Sequence, residues 1–137
     1  MIEQLRGLAP NLAGMKVSDS PFDRVTPYLL DELDVFIGAE ALIADGLAAG
    51  AAGAVSGLAA AFPDVVAAVV REPTAEGAAR LGRIRDAVQA YPFQPALKVV
   101  AAQRGAPVRQ DVRAPLRTLT HDERAGLIAA IAALGEA

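Results

Sequence analysis

Lysine is scarce in this chain, because all but Lys16 and Lys98 of its 13 basic residues are arginine. Lys16 stands in the run Ala13-Gly14-Met15-Lys16-Val17, at the carboxyl end of a predicted strand. From that end α/β folds present their chemistry. Burial and neighbouring dipoles lower a lysine's pKa toward neutrality and free the amine that attacks a carbonyl carbon. An arginine stays protonated and cannot do this. The plainer alternative is a lysine that snorkels from a strand end into solvent.

Other candidates are weaker by residue type and spacing. Gly38-Ala39-Glu40 follows a second predicted strand, so Glu40 is expected on the same rim as Lys16, where it could bind a hydroxyl or a cation. It serves equally well as an acid in the first turn of a helix. Glycines 50, 53 and 57 match neither the dinucleotide fingerprint nor the phosphate loop, since no Lys-Ser/Thr follows. They are read as a tight entry turn and close strand packing. His121 lies in Thr120-His121-Asp122-Glu123, a capping box, where a solvated histidine is ordinary. Lys98, Asp111, Arg113 and Arg117 are read as loop and surface charges.

The elements that must position Lys16 and Glu40 follow from three apolar runs, residues 13–17, 34–37 and 53–56. Their ends fall roughly twenty residues apart, the length of a strand, a loop, a short helix and a return loop, so parallel βα units are expected. None alternates cleanly, which predicts a sheet buried on both faces or a barrel wall. Ser20-Pro21-Phe22-Asp23 predicts a helix start with Val25, Leu29 and Leu30 on its body. Further helices are expected over 40–49, 64–71 and 74–90, from just after Phe93-Gln94-Pro95 to about 103, and from Thr120 onward. The 64–71 helix should be buried around most of its circumference, and the last one carries the stripe Leu127, Ile128, Ile131 and Leu134. Residues 105–119 read as an Arg- and Pro-rich loop. The organisation is then βα units over 1–73 and a helical segment over 74–137, packed as one domain.

Composition narrows the function classes. The 137 residues are 53% hydrophobic, 21% charged and 4% aromatic, which suits one small core filled by Leu, Val, Ile and Ala and excludes a disordered chain. A net charge of −3 offers no basic field for a phosphate backbone. The absence of cysteine removes disulfides, zinc knuckles, iron–sulfur clusters and thiol chemistry, and the single histidine makes a histidine metal site or a Ser-His triad a poor fit. No cofactor or metal is expected. The early acid in Met1-Ile2-Glu3 argues against a presequence, and the uncharged stretch 46–63 is too rich in Ala and Gly for a membrane span. A cytoplasmic protein with no nucleic-acid or membrane partner is therefore expected.

Joined in order, G-M-K-V-S-D, F-I-G-A-E, G-A-A-G-A-V-S-G-L-A-A-A-F-P and V-R-A-P-L-R-T-L-T resemble the dihydrodipicolinate synthase and N-acetylneuraminate lyase family. These are class I aldolase-type (β/α)8 barrels with an appended helical domain. The resemblance runs from Asn11 to Leu134 but covers only the second half of the family fold. It implies a partial barrel of strands six to eight followed by a C-terminal helical appendage.

The resemblance further implies that Lys16 forms a Schiff base with pyruvate or a related 2-oxo acid. It implies that Gly38 and Glu40 help hold substrate, and that Val55, Ser56 and Gly57 line the pocket beside the lysine. Two departures bear on the substrate. Ala60 stands where the family usually has asparagine, and the link from Lys16 to Asp23 is longer than usual. The family's Thr/Ser-rich carboxylate-binding turn and proton-relay tyrosine precede the lysine strand and have no match here; Tyr28 and Tyr91 are placed differently. The expected function is a Schiff-base lyase or aldolase whose chain is a catalytic fragment, forming a homo-oligomer or associating with an N-terminal half. The alternative is a non-catalytic half-barrel used for binding or assembly.

Overall fold

The computed structural model describes residues 2–136; Met1 and Ala137, the ends of the two expected segments, lie outside the described residues. The chain opens with a short helix that the sequence pattern did not announce, α1 (Ile2–Leu8). Three strands follow, β1 (Gly14–Val17), β2 (Asp34–Ile37) and β3 (Gly53–Ala54). They form one parallel sheet in sequence order, with Lys16 opposite Phe36 and Phe36 opposite Gly53. The parallel order of the three strands is thus found. β3 is shorter than expected, although the Val55 N–H still donates to the Ile37 carbonyl at 2.9 Å.

Two glycines set how closely these elements approach. A Cβ on Gly14 would run into the backbone carbonyl of Asp34, so only glycine lets β1 sit at this distance from β2. Helix α2 (Ile43–Ala48), entered through a 3-10 turn over Glu40–Leu42, brings Gly46 against the Ile37 side chain in the same way. The face of the sheet toward α2 is the buried one, with Val17, Val35 and Ile37 almost wholly out of solvent.

The helix expected after β1 does not form. Two separate 3-10 turns, Phe22–Arg24 and Thr26–Tyr28, take its place, and no side chain caps the first of them. Pro27 lies where a continuing α-helix would need an N–H, and its ring crowds the preceding turn. Val25 is nonetheless fully buried, so the apolar anchor holds while the element changes.

The described residues form two compact units, residues 2–57 with 68–78 and residues 58–67 with 79–136. The first holds the sheet. The second is built largely from α4 (Ala75–Gln89), α5 (Phe93–Gln103) and α6 (His121–Ala133), with α3 (Pro63–Arg71) also contributing. Helix α3 shows a one-sided pattern instead of burial all round: Val65, Val66 and Val69 are buried, while Ala67 and Ala68 are exposed.

In the second unit Leu81, Ile84, Val88, Leu127 and Ile131 face its core. The capping box of α6 is formed as expected: Glu123 N–H donates to Thr120 Oγ1 at 3.2 Å and Thr120 N–H to Glu123 Oε2 at 2.8 Å. Lys98 is more than a surface charge, because its ammonium donates to the Asp111 carbonyl at 2.6 Å and ties α5 to the arginine-rich loop.

Candidate active site at the carboxyl end of the sheet

Side chains alternate between the two faces of a strand, and neighbours in a parallel sheet point to the same side. With Val17, Val35 and Ile37 on the helix-covered face, Lys16, Phe36 and Gly53 form a row on the other. A Cβ on Gly53 would rest 3.4 Å from the Phe36 ring. The backbone bonds Gly38 N–H to Val17 O (2.7 Å) and Val55 N–H to Ile37 O continue the register by one step. They place Ser18, Gly38 and Val55 in a second row nearer the carboxyl end. The middle of that row has no side chain.

Lys16 fills the gap. A Cβ on Gly38 would stand 2.9 Å from Lys16 Nζ and closer still to Lys16 Cε and Ser18 Oγ. The lysine stem therefore leaves β1, passes toward the strand ends and lays its amine over the Gly38 backbone. The burial expected of Lys16 is not found: the residue is exposed, as is Val55. The physical reason is that β1 and β3 are both edges of the sheet among the described residues, and no strand beyond either walls in this face.

Glu40 is the buried polar group of the site, only 3% exposed. Its carboxylate accepts a hydrogen bond from Ser56 Oγ at 2.9 Å, joining the loop after β2 to the loop after β3. Glu40 opens the 3-10 turn over Glu40–Leu42 and faces the loop that follows β3. Of the sequence-named residues, Lys16 meets Gly38 and Glu40 meets Ser56; Val55 stands beside Gly38 in the upper row, and Gly57 is exposed in the loop beyond.

Ser18 and Phe36 were missed by sequence reasoning. Ser18 had a usable signal, lying two residues after Lys16 on the same strand face; the strand-central Phe36 had none without the register. Among the described residues no group of three His, Cys, Asp or Glu side chains gathers as a metal site. No helix among them is long and apolar enough to cross a membrane.

A strand-borne lysine at the carboxyl end of a parallel sheet, beside Gly-x-Glu and Val-Ser-Gly, is the pattern on which the family resemblance rests. The model of the dihydrodipicolinate synthetase family matches residues 1–134. The chain belongs to the dihydrodipicolinate synthetase family.

Among family relatives, an uncharacterized DapA-like lyase of Chloroflexus aurantiacus is 35% identical over 125 residues, covering 85% of this chain and 42% of that protein. The dihydrodipicolinate synthase of Agrobacterium tumefaciens matches with a TM-score of 0.80 and 27% identity, over 97% of this chain and 47% of that structure. A prophage protein of the dihydrodipicolinic acid synthase family from E. coli, solved with pyruvate, has a TM-score of 0.82 at 19% identity, over 99% of this chain and 50% of its own, and shows the shared fold. The chain thus spans about half the length of the curated relatives it matches. Its α/β fold is that of roughly half of a dihydrodipicolinate synthetase family protein.

Proposed function

We propose that this chain carries the lysine half of a Schiff-base lyase or aldolase site acting on pyruvate or a related 2-oxo acid. The observation that carries the reading is the Lys16 amine lying over Gly38, at the same end of the sheet as the Glu40–Ser56 pair, in a chain of this family. The unprotonated amine adds to the C2 carbonyl carbon, the carbinolamine formed takes up a proton from solvent and loses water, and the resulting iminium accepts the electron pair released when a bond at C3 breaks. Loss of a C3 proton or cleavage of a C3–C4 bond gives the same enamine, so one lysine serves either condensation or cleavage. Glu40, Ser56 and the backbone at Val55 and Gly57 are the groups we assign to holding the remainder of the substrate.

The carboxylate cradle and proton relay that the family resemblance calls for have no counterpart in this sequence, and positioning and proton transfer are each worth orders of magnitude in rate. Turnover is therefore assigned to this chain together with an N-terminal half-barrel that supplies them; a homo-oligomer of this chain would cover its open sheet face without adding either group. The exposure of Lys16 and Val55 favours a second reading, a non-catalytic half-barrel that binds or assembles.

Borohydride reduction in the presence of pyruvate, followed by peptide mapping, separates the two. The Schiff-base reading expects the reduced adduct at Lys16 and its loss in Lys16→Arg. Labelling of Lys98 to the same extent, or no adduct at all, favours the assembly module.

A further inference from the structure

Glycine at position 38 is not demanded by its own backbone. Its φ lies outside the left-handed region, unlike those of Gly50, Gly105 and Gly135, so an alanine would adopt the same conformation. What excludes a side chain there is occupancy. The space a Cβ would take is already filled by the end of Lys16 and by Ser18 Oγ, both from β1 and the residue just past it.

We infer that Gly38 is a positioning residue for Lys16: its bare Cα is the seat on which the lysine amine rests, and Ser18 Oγ is the neighbouring wall of that seat. The inference rests on the Schiff-base reading for its consequence, but the seat itself is a matter of packing. An exposed lysine has four freely rotating carbons and no intrinsic reason to point along its strand. Here Phe36 occupies the lateral position opposite Lys16, and the upper row offers one vacancy, above Gly38. The stem is thereby steered past the ring toward the carboxyl end of the sheet, where Glu40 and Ser56 lie. Lysine ends and serine hydroxyls move at little cost, so a methyl at position 38 would leave the fold standing and displace the amine.

Gly38→Ala in the full chain tests this, with Lys98 as the internal reference lysine. In the wild-type protein the seat requires a nuclear Overhauser cross-peak between the Lys16 Hε and Gly38 Hα protons, and its absence overturns the inference whatever the variant does. Gly38→Ala is expected to keep the circular dichroism spectrum and urea midpoint of the wild type and to lose the contact between Lys16 and position 38. Trapping of pyruvate at Lys16 should slow by at least about 10-fold, since a displacement near 1 Å costs on the order of a hundredfold. Trapping at the wild-type rate in a folded Gly38→Ala protein overturns the positioning role. A wild-type protein that shows the cross-peak, loses it in Gly38→Ala and yet never forms an adduct supports the seat and sinks the Schiff-base reading instead.

Discussion

Ser56 Oγ donates a 2.9 Å hydrogen bond to the buried carboxylate of Glu40, so the loops that leave β2 and β3 are joined where the two strands end. Truncating the serine leaves that carboxylate with one partner fewer in a place water scarcely reaches. Ser56→Ala is expected to cost about 1–3 kcal/mol, the usual range for a weakened buried hydrogen bond. Urea unfolding checks it, and a midpoint equal to that of the wild type would mean the bond is not formed in solution.

Near the other end of the chain, Glu136 is 5% exposed and is gripped by Arg80 through both carboxylate oxygens, the Nη2–Oε2 bond measuring 2.8 Å. Arg104 donates to the Glu136 carbonyl at 2.9 Å and to Asp64 at 2.8 Å, with its guanidinium 4.9 Å from the centre of the Phe62 ring. Arg80→Ala leaves a buried carboxylate without its cation and should destabilise the protein by about 2–4 kcal/mol. Arg80→Lys is expected to recover only part of this, because an ammonium cannot bind both oxygens in a fork. Thermal unfolding of the two variants gives the comparison.

The start of α6 supplies a pH prediction. The Arg117 guanidinium bonds Glu123 through both oxygens at 2.7 Å, and the Thr120 N–H adds a third bond. Together they hold the Glu123 carboxyl down from 4.5 to about 2. A folded-state pKa below the unfolded one gives stability that is present above about 4.5 and lost as pH falls toward about 2. Fraying of α6 should appear in that window. A side-chain carboxyl titration by NMR that places Glu123 at an ordinary midpoint would refute it, and Arg117→Ala should bring it there. The pair is exposed, so added salt weakens the effect.

Gly14 tests the closeness of β1 and β2. Gly14→Ala puts a methyl group against the Asp34 carbonyl, backbone that cannot rotate away, and is expected to cost about 1–3 kcal/mol in the manner of overpacked cores. Because β1 carries Lys16, pyruvate trapping at Lys16 should fall as well, in contrast to a surface change such as Gly7→Ala, where a Cβ meets nothing within 4 Å.

The face that carries Lys16 also carries Phe36 and Val55, the latter 52% exposed, and the sheet ends on two edges among the described residues. Apolar surface and free edges recruit partners. Size-exclusion chromatography with light scattering is expected to find species larger than the 14.1 kDa chain, shifted toward monomer by Val55→Lys. A sharp monomer peak that survives concentration would count against this association.

What the sequence determined by itself was local and periodic. The three apolar runs mark β1, β2 and β3, and the Thr120/Glu123 spacing marks the start of α6, because strand burial and capping act over a few neighbouring residues. Lys16 was legible as the candidate nucleophile for a similar reason: it is the sole lysine at a strand end in an arginine background. Pro27 could have warned that the helix after β1 would break into two turns, since its missing N–H is also a local fact. Only tertiary structure could decide the rest. The exposure of Lys16 depends on which strands flank β1, the Glu40–Ser56 bond on the pairing of β2 with β3, and the place of the lysine amine on a vacancy at Gly38 that belongs to another strand. Such relations join residues sixteen or more positions apart through sheet register, and no periodicity within a strand encodes the register between strands.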